Sequence, residues 1–220
     1  MDICVFGTGA VGGFMTARLA AGGRANVSII ARGAHLAAIR ERGLRLLSDT
    51  GNLTVRPTGA TERPQELPQQ DVVFVTLKAC SLLACAEAIA GLLKPGGHAV
   101  FVTNGIPWWW KFGSRDPRPL PLLDPDRALW DILTPQRALG CVVYAPNEVV
   151  EPGVVRHTGH NRWLLGEPDG SNSAGLRDTV DLLNQSGRMM SCWFPRSNYW
   201  RSTRLLVCEL GLLYKTNSRK

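Results

Sequence analysis

The stretch Phe6–Gly13 reads "FGTGAVGG" and decides the fold of the chain. Gly7, Gly9 and Gly12 have the spacing G-x-G-x-x-G, and they lie between an apolar strand candidate and a segment of helical composition. In this context the first glycine permits a tight turn, the second lets the backbone approach a pyrophosphate, and the third lets the helix pack on the strand. The free N–H groups at the helix start face the phosphates. We therefore predict a dinucleotide site formed by Gly7, Thr8, Gly9, Ala10, Val11 and Gly12.

Apolar runs and helical segments alternate through the first half of the chain. The predicted strands are Asp2–Phe6, Val27–Ala31, Asp71–Leu77 and His98–Val102, and the predicted helices are Ala10–Ala21, Ala34–Arg42 and Leu82–Leu93. Such alternation with apolar strands predicts an α/β fold, a Rossmann-type parallel sheet with helices on both faces. Leu44–Leu47 and Leu53–Val55 flank a turn signal, which predicts a hairpin.

The second half of the chain is less regular. Lys111–Arg137 is predicted to be a long loop with a short helix at "RALWDIL". Further strands are predicted at Leu139–Tyr144, Gly153–His157 and Arg162–Leu165. A helix is then expected to open at Ser171 or Ser173, both good N-cap residues, and to close at Gly187.

Composition limits the class of protein. With 220 residues, 45% of them hydrophobic and 20% charged, the chain has enough apolar side chains for a real core. No apolar run reaches the roughly 20 residues that span a bilayer. The start of the chain does not have the pattern of a secretory signal, so a cytoplasmic location is expected. The six cysteines lack framework spacing and are expected to be reduced thiols.

The net charge of +7 is concentrated at the end of the chain. Residues 187–220 contain seven Lys or Arg and one acidic residue, whereas residues 1–186 carry a net charge of +1. The body of the protein therefore has no excess of basic residues typical of nucleic-acid binding, and no nucleic-acid or membrane partner is expected. A basic nucleic-acid-binding module is kept as a distant alternative that rests on the tail alone.

The end of the second predicted strand selects the form of the dinucleotide. An NAD site carries Asp or Glu there for the ribose hydroxyls, but "SIIARGAH" contains no acidic residue. Arg32 follows the strand instead, where its guanidinium can bind a 2′-phosphate. The sequence therefore favours NADP (NADPH) over NAD. The alternative is that Arg32 only caps a solvated loop.

Two polar residues follow other predicted strands. Lys78 comes after "DVVFVTL" and Asn104 after "AVFVT". Ligands of open parallel sheets lie beyond the carboxyl ends of the strands, so both residues are expected to face the same cleft as the glycine loop. Asn104 can donate and accept hydrogen bonds, and Lys78 can bind a carboxylate or phosphate. The alternatives are a solvated lysine and an ordinary Asn-Gly turn.

The motifs "MDICVFGTGAVGG", "IIARG", "VTLKA", "TNGIPWWW", "GCVVYAPNEVVEPGVVRH" and "LLGEPDGS" resemble ketopantoate reductases (2-dehydropantoate 2-reductases) over about residues 1–187. The resemblance implies a cytoplasmic oxidoreductase of pantothenate biosynthesis that reduces ketopantoate to pantoate with NADPH. It implies that Lys78 and Asn104 contact the cofactor near the nicotinamide, that Asn104 also contacts the keto acid, and that Ala145 lies against the cofactor. Asn104 is thus the catalytic candidate, and no metal is expected. Trp108–Trp110 are expected to form an apolar lid edge or to pack against a second domain.

The resemblance ends near Gly187. Members of the family continue into an all-helical domain that supplies a general-acid lysine, and this lysine is not found after the tryptophan in "NYWRSTRLL". We expect a Rossmann-like NADP-binding domain at 1–187, a divergent basic tail at 188–220, and no second helical domain. Residues from about 188 are read as a frameshifted or truncated copy. Alternatives to ketopantoate reduction are a non-catalytic NADP-binding remnant and a reductase of a related 2-keto acid.

Overall fold

The structure is a computed structural model that describes residues 1–186 in full and residues 190–193 by their backbone. The strands of this part are β1 (Asp2–Phe6), β2 (Asn26–Ile30), β3 (Leu44–Ser48), β4 (Leu53–Val55), β5 (Gly59–Thr61), β6 (Gln70–Val75), β7 (Leu93–Val102), β8 (Ala138–Tyr144), β9 (Asn147–Glu151), β10 (Val154–His157), β11 (Arg162–Gly166) and β12 (Met190–Trp193). The helices are α1 (Ala10–Gly22), α2 (Gly33–Arg42), α3 (Ala86–Gly91), α4 (Ala128–Ile132) and α5 (Ala174–Gln185).

The main sheet has eight strands in the order β12-β11-β8-β7-β6-β1-β2-β5. Strand β1 lies near its centre and pairs in parallel with β2 and β6, and the parallel pairing continues through β7 and β8. Strand β11 pairs antiparallel to β8. The predicted Rossmann-type sheet is confirmed, with a reversal of direction at the β8–β11 edge.

Each face of the main sheet has its own core, and alternate residues of β1 contribute to each. Ile3 and Val5 pack with buried side chains of α1, α2 and α5, whereas Cys4 and Phe6 pack on the opposite face with α3 and α4. All four side chains are almost fully buried. Helices on both faces are why the strand is apolar without interruption.

A second sheet, in the order β4-β3-β10-β9, covers the outer side of α1. The predicted hairpin of β3 and β4 is confirmed, and β10 joins β3 in parallel. Helix α1 lies so close to this sheet that a Cβ on Gly13 would come within 2.6 Å of Val155 Cγ2. Burial between two sheets explains why Gly12–Leu19 form one continuous buried segment.

The predicted helix Leu82–Leu93 is wrong at both ends. Two short 3₁₀ turns precede α3, and Leu93, the last residue of the predicted helix, is the first residue of β7. Tertiary hydrogen bonds hold this segment extended: Arg137 donates to the carbonyl oxygens of Lys94 and Gly97, and the Lys94 ammonium bonds two aspartates. The short strands β5, β9 and β12 were also not predicted.

Trp108 and Trp109 pack inside this domain, so one of the two interpretations, that these residues pack against a second domain, is wrong for them. Both are almost fully buried, with ring centroids 5.0 Å apart at an interplanar angle of 90°. Trp109 lies 5.0 Å from the ring of Phe101 on β7, and Trp108 lies 6.5 Å from Trp130 of α4. The aromatic cluster therefore anchors the loop after β7 to the second core.

Other expectations concern the cysteines and the tail. Cys4, Cys80, Cys85 and Cys141 are free thiols, and burial raises the pKa of Cys4 to about 12. No helix in residues 1–186 is long and apolar enough to cross a membrane.

Helix α5 begins after Ser173, whose hydroxyl accepts from the Leu176 N–H, and ends at Gln185. The predicted closing residue, Gly187, and the division at residue 188 lie outside the described residues.

Candidate functional site

The carboxyl ends of five parallel strands meet at one edge of the main sheet. Phe6 lies opposite Ile30 on one side and Val75 on the other, and Val75 lies opposite Phe101. After β1 the chain moves to β2 and later returns to the other side of β1 with β6, so β1 and β6 form a topological switch point, where ligands of such sheets bind. The predicted residues that follow these strands are brought to this edge: Gly7, Arg32, Lys78, Asn104 and Ala145.

The loop after β1 is fixed by hydrogen bonds to β2. The backbone N–H groups of Gly7 and Thr8 both donate to the carbonyl oxygen of Ile30 at 3.0 Å, and the buried Thr8 hydroxyl donates to it at 3.2 Å. Gly7 has φ +98°, a conformation that residues with a Cβ rarely adopt. The loop is therefore a rigid turn, set before any ligand arrives.

Two glycines of the motif have different surroundings. A Cβ on Gly12 would lie 2.5 Å from Thr76 Oγ1 and 2.6 Å from the Gly7 carbonyl oxygen, so this glycine is needed for the contact of α1 with the sheet. A Cβ on Gly9 would meet only the Gly7 carbonyl oxygen, at 4.0 Å. Gly9 is the N-cap of α1, and no side chain caps the helix. Open space and free N–H groups at a helix start fit a phosphate.

Thr76 holds the glycine loop from the other side and was missed by sequence reasoning. Its hydroxyl donates to the Gly7 carbonyl oxygen at 2.6 Å, and its backbone N–H donates to the Phe6 carbonyl oxygen at 3.0 Å. Leu77 fills the space beneath Gly7. The signal that singled out Lys78, a polar residue at the end of an apolar strand, applies equally to Thr76.

Arg32 begins α2 as its N-cap residue and is exposed. Within the described residues no carboxylate pairs with its guanidinium, and the first turn of α2 contains no acidic residue. His35, one turn further, accepts a hydrogen bond at Nδ1 from the Gly153 N–H at 3.0 Å, and desolvation lowers its pKa. His35 is therefore neutral at neutral pH, and Arg32 supplies the positive charge here.

Lys78 is exposed at the end of β6, and its ammonium forms no ion pair with any side chain in residues 1–186. It precedes a 3₁₀ turn, where its carbonyl oxygen accepts from the Ser81 N–H at 2.9 Å. The ammonium is thus available to an anionic ligand at the switch point.

Asn104 uses its side chain to continue the pairing of β7 with β8. Its Nδ2 donates to the Val143 carbonyl oxygen and its Oδ1 accepts from the Val143 N–H, both at 3.0 Å. Since Val102 lies opposite Cys141, Val143 is the residue that would face position 104 in a continued ladder. One donor and one acceptor site of the amide remain for a ligand.

Ala145 follows β8 and is half-buried against the first core. Its carbonyl oxygen accepts from Asn147 Nδ2 at 2.9 Å, and Asn147 Oδ1 lies 2.9 Å from His157 Nδ1. The His157 ring lies 4.4 Å from the ring of Phe14 on α1. These contacts fix the backbone at Ala145 relative to the helix that begins at the glycine loop.

A cavity of about 530 Å³ lies at the opposite edge of the sheet, and its polar groups bond one another. His98 Nε2 lies 2.8 Å from the Thr179 hydroxyl, and Arg137 donates to two backbone carbonyl oxygens. Burial raises the pKa of Glu167, which accepts from Ser173. Because these groups are already bonded, the carboxyl edge is the better candidate site.

The carboxyl edge thus offers free helix N–H groups, two cations without an acidic partner in the described part of the chain, and a fixed amide. Such a set suits a ligand with several anionic groups. No group of three or more His, Cys, Asp or Glu that could hold a metal ion occurs among the described residues.

Known proteins resemble this chain over most of its length. The sequence profile of the family described as "Ketopantoate reductase PanE/ApbA" matches residues 3–170. A 2-dehydropantoate 2-reductase of Mesorhizobium japonicum is 44% identical over 190 residues, which are 85% of this chain and 58% of that relative. This chain therefore spans less than two thirds of the length of that relative.

Solved structures show the same fold. A structure from Ralstonia solanacearum, provisionally named a ketopantoate reductase, is 36% identical with a TM-score of 0.81, covering 88% of this chain and 60% of that one. D-Mandelate dehydrogenase, solved with NADH and anilino(oxo)acetate, is 19% identical with a TM-score of 0.70, covering 88% of this chain and 57% of that one. At 19% identity this comparison shows a shared fold and nothing about function.

Proposed function

Because the chain belongs to the ketopantoate reductase family, we propose that it binds NADPH and serves the reduction of 2-dehydropantoate to pantoate. The observation that carries the proposal is the open Gly9 position at the start of α1, at the same edge of the sheet as Arg32, whose guanidinium has no carboxylate partner in residues 1–186. A dinucleotide with an added phosphate matches both features.

NADPH supplies the hydride of this chemistry. The backbone N–H groups of Ala10 and Val11 would hold its diphosphate beside the open Gly9 position, and the guanidinium of Arg32 would bind the 2′-phosphate. The shape of the loop depends on Gly7, Thr8 and Gly12, which have no direct contact with the ligand in this proposal. NADP is preferred to NAD because no carboxylate follows β2 to accept from ribose hydroxyls.

The keto acid would lie where β6 and β7 end. The Lys78 ammonium would attract a carboxylate or phosphate, and the remaining donor of Asn104 would bind the keto oxygen or a nicotinamide ribose hydroxyl. Ala145, fixed by Asn147, would form part of the wall against the nicotinamide. By family resemblance the proton for the keto oxygen comes from a lysine of a second, helical domain, and that lysine is not found after the tryptophan of "NYWRSTRLL".

A second candidate function is cofactor binding without turnover. The chain spans 58% of the Mesorhizobium relative, and the lysine expected after the tryptophan of "NYWRSTRLL" is not in the sequence. General acid catalysis contributes about 10²–10⁴-fold to rates, so its loss alone would nearly silence the reaction.

Cofactor binding is tested by titrating the full chain with NADPH and with NADH. We expect NADPH to bind more tightly, and Arg32→Ala to weaken NADPH by about 10–100-fold while changing NADH little, since a hydrogen bond to a charged group is worth about 1.5–3 kcal/mol. Arg24→Ala is the matched control, because Arg24 is exposed beyond the other end of α1. Equal losses for both dinucleotides, or no saturable binding by folded protein, would contradict the proposal.

Turnover separates the two candidates. Ketopantoate is added to the NADPH-loaded protein, and oxidation of NADPH is followed by its absorbance. Oxidation above the rate without protein supports the reductase, whereas saturable binding with no oxidation supports the binding-only candidate.

A further inference from the structure

A small apolar pocket opens beside Asn104, at the carboxyl edge of the sheet. Its volume is about 30 Å³, some two to three times the ~10–15 Å³ that one water requires. Its apolar walls include Leu82, Ile106, Trp108, Trp109, Leu123 and Leu129. A ligand group that enters must be compact and mainly apolar.

Trp108 contributes a buried indole N–H to the lining of this pocket, beside the polar residues Thr103 and Asn104. Trp108 is 2% exposed, and its Nε1 has no hydrogen-bond partner within the described residues. Buried indole N–H groups normally donate, so an orphaned one needs an explanation. The ring is held by Phe101 at 5.7 Å and Trp109 at 5.0 Å, which fixes the position of the donor.

The pocket adjoins the place assigned above to the keto acid. Asn104 forms part of its lining, and the exposed Ile106 lies beside it after Gly105, whose φ of +112° turns the chain away from β7. A keto acid whose oxygen is bound by Asn104 has its side chain within reach of these walls. Neither a carboxylate nor a phosphate would suit them, because charge is costly among apolar side chains.

We propose that this pocket receives the branched aliphatic side chain of the 2-keto acid, and that Trp108 is a specificity-determining residue whose Nε1–H donates to a hydroxyl group on that side chain. The inference rests on the proposed function and adds to it the residues that select the substrate. Each carbon buried here contributes about a fourfold gain in affinity, so a branched acid should bind at least tenfold more tightly than glyoxylate, which has no side chain.

The test uses the full chain, isotopically labelled at the indole nitrogens of tryptophan and saturated with oxidised NADP, which prevents reduction. The Trp108 signal is identified by its loss in Trp108→Phe. We expect 2-dehydropantoate to shift this signal saturably, and glyoxylate to leave it in place. The Trp163 signal is the internal control, since its Nε1 already donates to Asn161 Oδ1 at 2.6 Å on β11.

Matched variants test the walls of the pocket. Ala79 lines it and is exposed, so Ala79→Leu should fill it and weaken 2-dehydropantoate at least tenfold without changing dinucleotide affinity. Ala84→Leu, the same change at an exposed position outside the lining, should alter neither affinity. Trp108→Phe should abolish the preference for 2-dehydropantoate over its analogue without the hydroxyl, while keeping the preference over glyoxylate.

The outcomes separate this inference from the proposed function. If the dinucleotide binds but the Trp108 signal does not move, or moves equally with glyoxylate, the pocket assignment is wrong and the cofactor assignment stands. Equal effects of Ala79→Leu and Ala84→Leu would also overturn it. If no dinucleotide binds to folded protein, the proposed function fails and this inference fails with it.

Discussion

At the scale of single residues, Gly9 and Gly12 belong to one motif but should fail in different ways when replaced. Gly12→Ala places a Cβ against the Gly7 carbonyl oxygen, a backbone atom, so we expect a loss of about 1–3 kcal/mol in the free energy of unfolding. Gly9→Ala has room in the fold and should leave stability nearly unchanged, while NADPH binding falls at least tenfold. Urea unfolding and NADPH titration measure the two effects. Tight NADPH binding by Gly9→Ala would contradict the assignment of the phosphate site.

A second prediction concerns the contribution of Asn104 to stability, because its side-chain amide hydrogen-bonds both the N–H and the carbonyl oxygen of Val143. Asn104→Ala removes both hydrogen bonds and should lower the free energy of unfolding by about 1 kcal/mol. Asn104→Asp keeps the acceptor but sets a carboxylate against the Val143 carbonyl oxygen, so it should also destabilise. Hydrogen exchange at the Val143 N–H is the specific measurement: it should speed up in Asn104→Ala, and unchanged protection would show that the clamp is not formed in solution.

Sequence reasoning identified which residues reach the site but not how they are used. The glycine spacing and the missing carboxylate after β2 are local signals, so Gly7, Gly9, Gly12 and Arg32 could be named. The contact of Asn104 with Val143 joins residues 39 positions apart and depends on the register of β7 with β8, which no local pattern specifies. Thr76 was missed although it too is polar and follows an apolar strand, but its hydrogen bond to the Gly7 carbonyl oxygen depends on the pairing of β6 with β1.

At the scale of elements, Lys94 joins the amino ends of three strands. Its ammonium lies 2.7 Å from an Asp2 oxygen on β1 and 2.9 Å from an Asp71 oxygen on β6, and the Asp2 N–H donates to Asp71 at 2.7 Å. The hydrogen bond from Lys94 lowers the pKa of Asp2, and the backbone N–H of Asp2 followed by Lys94 lowers the pKa of Asp71. Both carboxyl groups therefore favour the folded state when ionised.

The pH dependence follows from the direction of these pKa shifts. A carboxyl group whose pKa is lower in the folded state stabilises fully above its unfolded pKa, near 4, and loses this contribution as the pH falls through its folded pKa. We expect stability to fall with acid below about pH 4, and Lys94→Met to lower stability at neutral pH and to make the acid decline shallower. Urea midpoints across this range measure both. An unchanged acid decline in Lys94→Met would show that other groups cause it.

Elements with strong local signals were predicted, and those made by distant contacts were not. The central strands of the main sheet, β1, β2, β6, β7 and β8, are largely apolar and were found from composition. Strands β5 and β9 are short, and β9 is largely exposed, so neither has an apolar pattern. The segment Lys94–Gly97 has the composition of a helix stop, yet Arg137 and two aspartates hold it in a strand.

At the scale of the whole molecule, a ligand at the switch point should stabilise the entire domain, because the site is formed by residues after five strands of one sheet. At a concentration one hundred times its Kd, a ligand contributes about 2.7 kcal/mol. For a protein of this size that corresponds to a rise in Tm of about 5–10 °C. We expect this rise with NADPH, and a much smaller one in Arg32→Ala at the same concentration. Thermal unfolding by circular dichroism measures it, and an equal rise in both proteins would contradict the role of Arg32.

The global architecture was predictable because the alternation of strands and helices implies a parallel sheet with helices on its faces. The second sheet was not, since β3 and β10 are more than 100 residues apart and meet only once α1 lies between the two sheets. The location of the Trp108 and Trp109 rings depended in the same way on α4, whose buried face covers them.

The Asn104–Val143 clamp also bears on how the protein ages. Asn104 is followed by Gly105, and an Asn-Gly pair loses ammonia when the glycine nitrogen attacks the side-chain carbonyl carbon to close a succinimide ring. While both hydrogen bonds to Val143 hold, the side-chain amide of Asn104 stays bound to the backbone of β8 and is not free to meet the Gly105 nitrogen. Deamidation in a stored sample would therefore proceed only as fast as the hydrogen bonds between Asn104 and Val143 break. The amount of the more acidic deamidated form would then measure how often these bonds break.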